Sequence, residues 1–222
     1  HDSAQIKPVC TDKERDYLLE FVNLYFRKPV TKEDIVWCYS GIRPLYQDGA
    51  GDSTSATRDY VLKVDKSDAP LLTIYGGKIT TYRKLAENVM SKVVPYFGLN
   101  DKPWTIKVAL PGGDFKVDEF NLLMERILKE FPYLSPDWAR RLLRQYSTET
   151  KIILNNTQQL SDLGRHFGCQ ITERELRWSI ANEWTQNAED FIWRRTKLGL
   201  KLTKKQVEEI DNFIQKAKKD LL

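Results

Sequence analysis

The sequence predicts an α+β chain that is mostly α. A small β-sheet region with flanking helices comes first, and an all-α C-terminal domain follows. Three observations predict this. Short runs rich in β-branched and aromatic residues cluster between positions 35 and 75. A Pro- and Gly-rich stretch, Asn100–Gly113, ends in the turn Leu110-Pro111-Gly112-Gly113. Beyond it, apolar residues recur only at helical spacing. The expected division is therefore residues 1–100 and residues 101–222.

Within the first part, residues 12–28 read as an amphipathic helix with Leu18, Phe21, Val22 and Tyr25 on one face. Thr11 or Asp12 caps it and Pro29 ends it. Thr31 and Asp34 form a capping-box pattern for one short turn. Ile35–Tyr39, Asp59–Val64 and Leu71–Tyr75 read as three strands, with the Gly-, Ser- and Asp-rich loop Gln47–Thr57 between the first two. Gly76-Gly77 breaks the pattern. A helix with Ile79, Tyr82, Leu85, Ala86, Val89 and Val93 on its apolar face follows.

In the second part, Val117, Phe120, Met124, Ile127 and Phe131 mark one helix. Ser135-Pro136 opens another, with Ser at the N-cap and Pro in the first turn. A further helix begins near Ser147 or Thr148. Thr172 with Glu175 reads as a capping box for a helix carrying Leu176, Ile180 and Trp184. Asn187–Lys197 reads as helix ended by Gly199. Thr203 caps the last helix, whose stripe is Val207, Ile210, Ile214, Ala217 and Leu221.

Composition narrows the function classes. Lys and Arg number 35 against 31 acidic residues, a net charge of +4. That is a densely charged but only mildly basic surface, so no dedicated nucleic-acid domain is expected. The longest apolar stretch, Ala69–Tyr75, is far short of the ~20 residues that span a membrane. Cys10, Cys38 and Cys169 are odd in number and widely spaced, and read as reduced thiols with no disulfide or metal role. With only His1 and His166, a histidine-based metal site or triad is not expected. The chain starts at His1 and reads as a piece of something longer.

Four constellations carry candidate chemistry. In Leu71–Thr81, LLTIYGGKITT, an apolar strand runs into two glycines and a helix start. Backbone N–H groups without partners and a positive dipole end meet there, and Lys78 adds charge. The arrangement suits an anion or an electron-rich carbonyl oxygen. Arg43, in Gly41-Ile42-Arg43-Pro44-Leu45, sits where a strand meets a loop and can grip a carboxylate or phosphate with two parallel hydrogen bonds. Arg58 opens another strand. If Arg43, Arg58 and Lys78 converge, the pocket favours a phosphate-bearing ligand. The fourth is the basic run from Trp193 through Lys205, which reads as a solvated helix end or as a surface for anionic lipid or nucleic acid.

Together, WCYSGIRPLYQD, TRDYVL, LLTIYGGKITTYRKLAENV, LPGG, TERELRW and NEWTQNAEDFIWRRTKLGL resemble the FAD-dependent glycerol-3-phosphate dehydrogenases, from about residue 10 to the end. The resemblance is to the C-terminal half of such an enzyme, and to the bacterial form, since no Asp-rich calcium loop appears. It implies oxidation of sn-glycerol 3-phosphate to dihydroxyacetone phosphate, with hydride passing to FAD and electrons to a quinone. Gly76, Gly77, Lys78, Ile79 and Thr80 would approach the flavin's pyrimidine end. Arg43, Arg58 and Lys78 would line the substrate pocket, with Arg43 nearest the reacting hydroxyl as the catalytic candidate. The general base is expected from the absent half, so this chain alone is expected not to turn over.

The resemblance further implies a homodimer in the cytoplasm, peripheral on the inner face of the cell membrane, with an anionic membrane surface as a candidate partner and no nucleic acid. Two alternatives stand beside it. An α-glycerophosphate oxidase would hand electrons to oxygen. A non-catalytic basic helical interaction module would leave the glycine and arginine motifs unexplained.

Overall fold

The computed structural model describes residues 8–42, 46, 59–99 and 102–220. The chain divides into two units, His1–Val108 and Ala109–Leu222. The sequence had placed this break at residue 100. The later break follows from Thr105, whose hydroxyl donates to Glu87 at 2.7 Å and ties the segment after residue 101 to the first unit.

Helix α1 spans Asp12–Asn23 and opens on Thr11. The Thr11 oxygen accepts the Glu14 N–H at 3.3 Å, and the Glu14 carboxylate accepts the Thr11 N–H at 2.8 Å. Thr31 and Asp34 form the expected box around one 3-10 turn. Ile35–Tyr39, read as a strand, pairs with no strand among the described residues. Ile35 has extended angles and the Trp37 and Tyr39 rings stack at 5.0 Å, as alternate residues on one face of a strand would. What is missing is a neighbour to bond to, and Tyr39 is 77% exposed.

The sheet described is a two-stranded antiparallel pair, β1 (Val61–Asp65) and β2 (Leu71–Tyr75), in register from Val61 opposite Tyr75 to Asp65 opposite Leu71. The first strand starts two residues later than the expected Asp59, because Asp59 and Tyr60 lie beyond the last paired position. A 3-10 turn, Ile79–Thr81, leads into α2 (Tyr82–Val93). Among the described residues this unit fully buries one large apolar side chain, Val94. Phe21, Val36, Ile79 and Trp104 are all half or more exposed. An isolated sheet pair of this size cannot supply a core by itself.

The second unit is all helical: α3 (Phe120–Glu130), α4 (Pro136–Tyr146), α5 (Glu149–Leu154), α6 (Glu173–Asn182) and α7 (Lys204–Lys219). Ser135 caps α4 by accepting the Trp138 N–H at 3.3 Å. One apolar cluster gathers Ile127, Phe131, Leu142 and Ile153 from α3, α4 and α5. A second gathers Leu176, Phe191, Ile210 and Ile214 from α6, α7 and the turn between them.

Glu175 joins the two. Thr172 accepts its backbone N–H at 3.5 Å, but its carboxylate does not return to complete the expected capping box. It takes two bonds from Arg141 of α4, both 2.7 Å, and one from the Tyr146 hydroxyl at 2.8 Å. Arg141 also donates to the Gln170 carbonyl at 2.8 Å. Burial, and then the Glu175 charge, push the Tyr146 hydroxyl well above its usual pKa, so it stays a donor.

Two further expectations change. Asn187–Lys197 does not form a plain α-helix: Asp190–Arg195 is a π-helical turn, with the Thr196 N–H donating to Phe191 O at 2.9 Å. Trp184 leaves the apolar face of α6, because the helix ends at Asn182; Trp184 takes φ +56° and is 83% exposed.

Removing one partner of a buried ion pair strands the other charge, which costs about 3–5 kcal/mol. Glu175→Ala should therefore lower the stability of the helical unit by about that amount in urea unfolding at neutral pH. Loss of the exposed Lys116–Glu119 pair should cost under about 1 kcal/mol.

Candidate functional site

The candidate site is the turn between β2 and α2. Gly76 and Gly77 take φ +70° and +106°, values that side chains other than hydrogen rarely adopt. A Cβ on Gly77 would meet Leu85 and Tyr60 at 3.6 Å, an ordinary contact, so the backbone angle rather than crowding requires glycine here. Lys78 then stands at the helix start, and its carbonyl accepts both the N–H and the hydroxyl of Thr81, at 3.0 and 3.1 Å. The first N–H groups of a helix find no partner within it, so Ile79 and Thr80 present donors at this turn. Ile79 is 88% exposed, which leaves the backbone open to approach.

Arg43 and Arg58 themselves lie outside the described residues. Their chain neighbours do not. Asp59, next to Arg58, pairs with the Lys78 ammonium at 3.6 Å. Tyr46, shortly after Arg43, packs its ring 5.3 Å from that of Tyr75, the last residue of β2. The Lys63 ammonium lies over the Tyr46 ring at 4.8 Å, and its hydrogen bond to Tyr46 raises its pKa. Asp59 and Tyr46 thus lie beside the turn that runs from Tyr75 to Lys78.

Sequence reasoning singled out the cations but missed the pairing of Asp59 with Lys78 and the packing of Tyr46 on Tyr75. The one available signal was their place inside the motifs TRDYVL, GIRPLYQD and LLTIYGG. Tyr60 of the same stretch accepts a hydrogen bond from the Asn88 amide of α2, which ties the start of β1 to that helix. A cavity of about 330 Å³ in this unit is lined by Val64, Leu72, Lys92 and Tyr96 among others, and includes none of the candidate residues.

The glycine backbone fits the flavin contact that the resemblance implies. Two residues without side chains, at positive φ, lead into exposed helix-start donors, as close approach of a planar electron-rich edge needs.

The basic run is largely engaged locally. Arg194 pairs with Asp190 at 2.7 Å, and Arg195 donates to the Glu183 carbonyl at 2.9 Å and pairs with its carboxylate at 3.4 Å. The Lys197 ammonium donates to the Trp193 carbonyl. Trp193 packs against the second apolar cluster, as a core residue would, and over Gly199, where a Cβ would meet its ring at 2.6 Å. Lys201, Lys204 and Lys205 are exposed. His166 is also exposed, with its ring edge-on to Trp138 at 5.6 Å.

Gly77→Ala should destabilise the first unit by about 1–3 kcal/mol through backbone strain alone. Gly41→Ala, where a Cβ meets nothing within 4 Å, should change it by ~0.5 kcal/mol or less. Hydrogen exchange at the β1–β2 amides would measure both.

Comparison with known proteins places the chain. Residues 104–221 match the model of the C-terminal domain of alpha-glycerophosphate oxidase. The chain is 38% identical over 205 residues to the aerobic glycerol-3-phosphate dehydrogenase of Escherichia coli K12, covering 91% of this chain and 41% of that protein. It is 39% identical over 206 residues to the D-erythritol 1-phosphate dehydrogenase of Brucella abortus 2308, covering 90% and 41%. It is 37% identical over 218 residues to the glycerol-3-phosphate dehydrogenase of Pseudomonas tolaasii, covering 95% and 42%. The chain thus spans about two fifths of the length of these relatives, and corresponds to their C-terminal part. It belongs to the family defined by the C-terminal domain of alpha-glycerophosphate oxidase.

Proposed function

We propose that this chain is the C-terminal part of a flavoprotein that oxidises sn-glycerol 3-phosphate to dihydroxyacetone phosphate. The observation that supports the reading is the Asp59–Lys78 ion pair and the packing of Tyr46 on Tyr75, both beside the Gly76-Gly77 turn. When bound, FAD supplies the hydride acceptor. Gly76, Gly77, Lys78, Ile79 and Thr80 would hold its pyrimidine end, where helix-start N–H groups favour negative charge. Arg43 orients the reacting hydroxyl. Arg58 and Lys78 bind the phosphate, and the Asp59 carboxylate holds the Lys78 ammonium in place. The base that takes the hydroxyl proton comes from the part of the enzyme upstream of this chain.

The exposed apolar side chains of the first unit, Phe21, Ile79 and Trp104 among them, support the same reading. They are a surface that a larger flavin domain would cover. The helical unit has a core of its own and braces that domain. Electrons pass to a quinone at the cytoplasmic face of the membrane, where a homodimer sits peripherally. The likeness to D-erythritol 1-phosphate dehydrogenase favours a second reading, in which the substrate is a longer polyol phosphate. The cationic half-site described here suits either phosphate.

In the enzyme with its upstream part restored, Lys78→Met should raise KM for the phosphate substrate about 10- to 100-fold, as loss of a charge-assisted bond does, with a smaller effect on kcat. An unchanged KM would remove Lys78 from the phosphate site. The 222-residue chain alone should give no turnover of glycerol 3-phosphate. Substrate preference between glycerol 3-phosphate and erythritol 1-phosphate, and hydrogen peroxide yield, would separate the polyol and acceptor variants of this reading.

A further inference from the structure

The three cysteines read from the sequence as isolated thiols, yet two of them come together in the first unit. Cys10 stands directly before the Thr11 cap of α1, with its Sγ 3.9 Å from the Thr11 carbonyl. Cys38 lies in the extended segment that pairs with no described strand. Both line one concavity of about 290 Å³, together with Leu18, Val22, Ile35 and Trp37. Cys169 belongs to the other unit, where its thiol donates to the Lys201 carbonyl at 3.5 Å. All three are free thiols in this structure; Cys38 is exposed and Cys10 half-buried.

We propose that Cys10 and Cys38 are an oxidisable dithiol pair, closed to a disulfide by hydroperoxides, that fastens the 35–39 segment to the start of α1. The difference in exposure orders the chemistry. The exposed Cys38 thiolate attacks the peroxide, forms a sulfenic acid and releases hydroxide. Cys10 then loses its proton and attacks the sulfenic sulfur, which expels a second hydroxide. In sum, two thiols and hydrogen peroxide give one disulfide and two waters. Loss of water around Cys10, and then the Cys38 sulfur beside it, raise the Cys10 pKa, while Arg15 pulls the other way. Cys10 therefore rests as the protonated, resolving partner.

The closed loop encloses α1 and the Thr31 turn. Oxidation would tie the 35–39 segment to the start of α1, a few residues ahead of Arg43 in the sequence. This device does not depend on which phosphate the enzyme oxidises.

The test treats the enzyme, with its upstream part restored, with one equivalent of hydrogen peroxide, alkylates the remaining thiols and maps peptides without reduction. The expected product is a Cys10 peptide joined to a Cys38 peptide, two hydrogens lighter than their sum, with Cys169 alkylated. Cys169→Ser should leave that product unchanged. In Cys10→Ser, which needs no altered packing, Cys38 should instead proceed to sulfinic acid at the same dose. Cys38 found as sulfinic acid in the unaltered chain, or joined only to Cys38 of a second molecule while Cys10 is alkylated, would overturn the proposal.

Discussion

Two consecutive glycines at positive φ are the constraint on which the first unit turns. Because Gly76 and Gly77 can take angles that other residues rarely adopt, β2 passes through the short turn Gly76–Lys78 and the 3-10 turn Ile79–Thr81 into α2. That short passage sets Lys78 at the helix start, within reach of Asp59, and leaves Tyr75 as the last rung of the ladder for Tyr46 to pack against. A longer connection would separate these contacts. The candidate half-site is thus a property of backbone geometry first and of side-chain charge second.

The helical unit solves a different problem. Glu175, a fully buried carboxylate whose charge is matched by Arg141 and whose oxygens are further satisfied by Tyr146, links its two apolar clusters, as does Trp178 of α6, which packs on Tyr146. Such a network is weak evidence for net stability against a well-packed apolar alternative, but it is exacting about geometry. It fixes α4 against α6. The same unit spends much of its basic run on local partners, Asp190 and Glu183, rather than presenting it outward.

What could be read from the sequence was local. The caps at Thr11, Ser135, Thr172 and Thr203 each depend on residues within one turn, and each accepts the N–H it was expected to accept. The strand–glycine–helix passage was legible for the same reason. Strand pairing at Ile35–Tyr39 was not, because a ladder needs a partner whose identity is not written in the strand itself. Glu175 had the spacing of a capping box, and only the long-range approach of Arg141 diverted its carboxylate. The π-helical turn before Thr196 and the left-handed Trp184 likewise follow from packing beyond one turn. Of the site, the cations were legible by type and motif. The contacts of Asp59 with Lys78 and of Tyr46 with Tyr75 act across the fold, and carried no signal beyond the place of these residues in those motifs.

The central claim is that this chain supplies one side of a flavin and polyol-phosphate site. Its most direct test is an anaerobic titration of the enzyme, with the upstream part restored, against sn-glycerol 3-phosphate while the visible flavin band is followed. The account predicts a bound flavin that bleaches stoichiometrically with substrate. A protein that purifies without flavin, or whose flavin stays oxidised with both glycerol 3-phosphate and erythritol 1-phosphate, would contradict it.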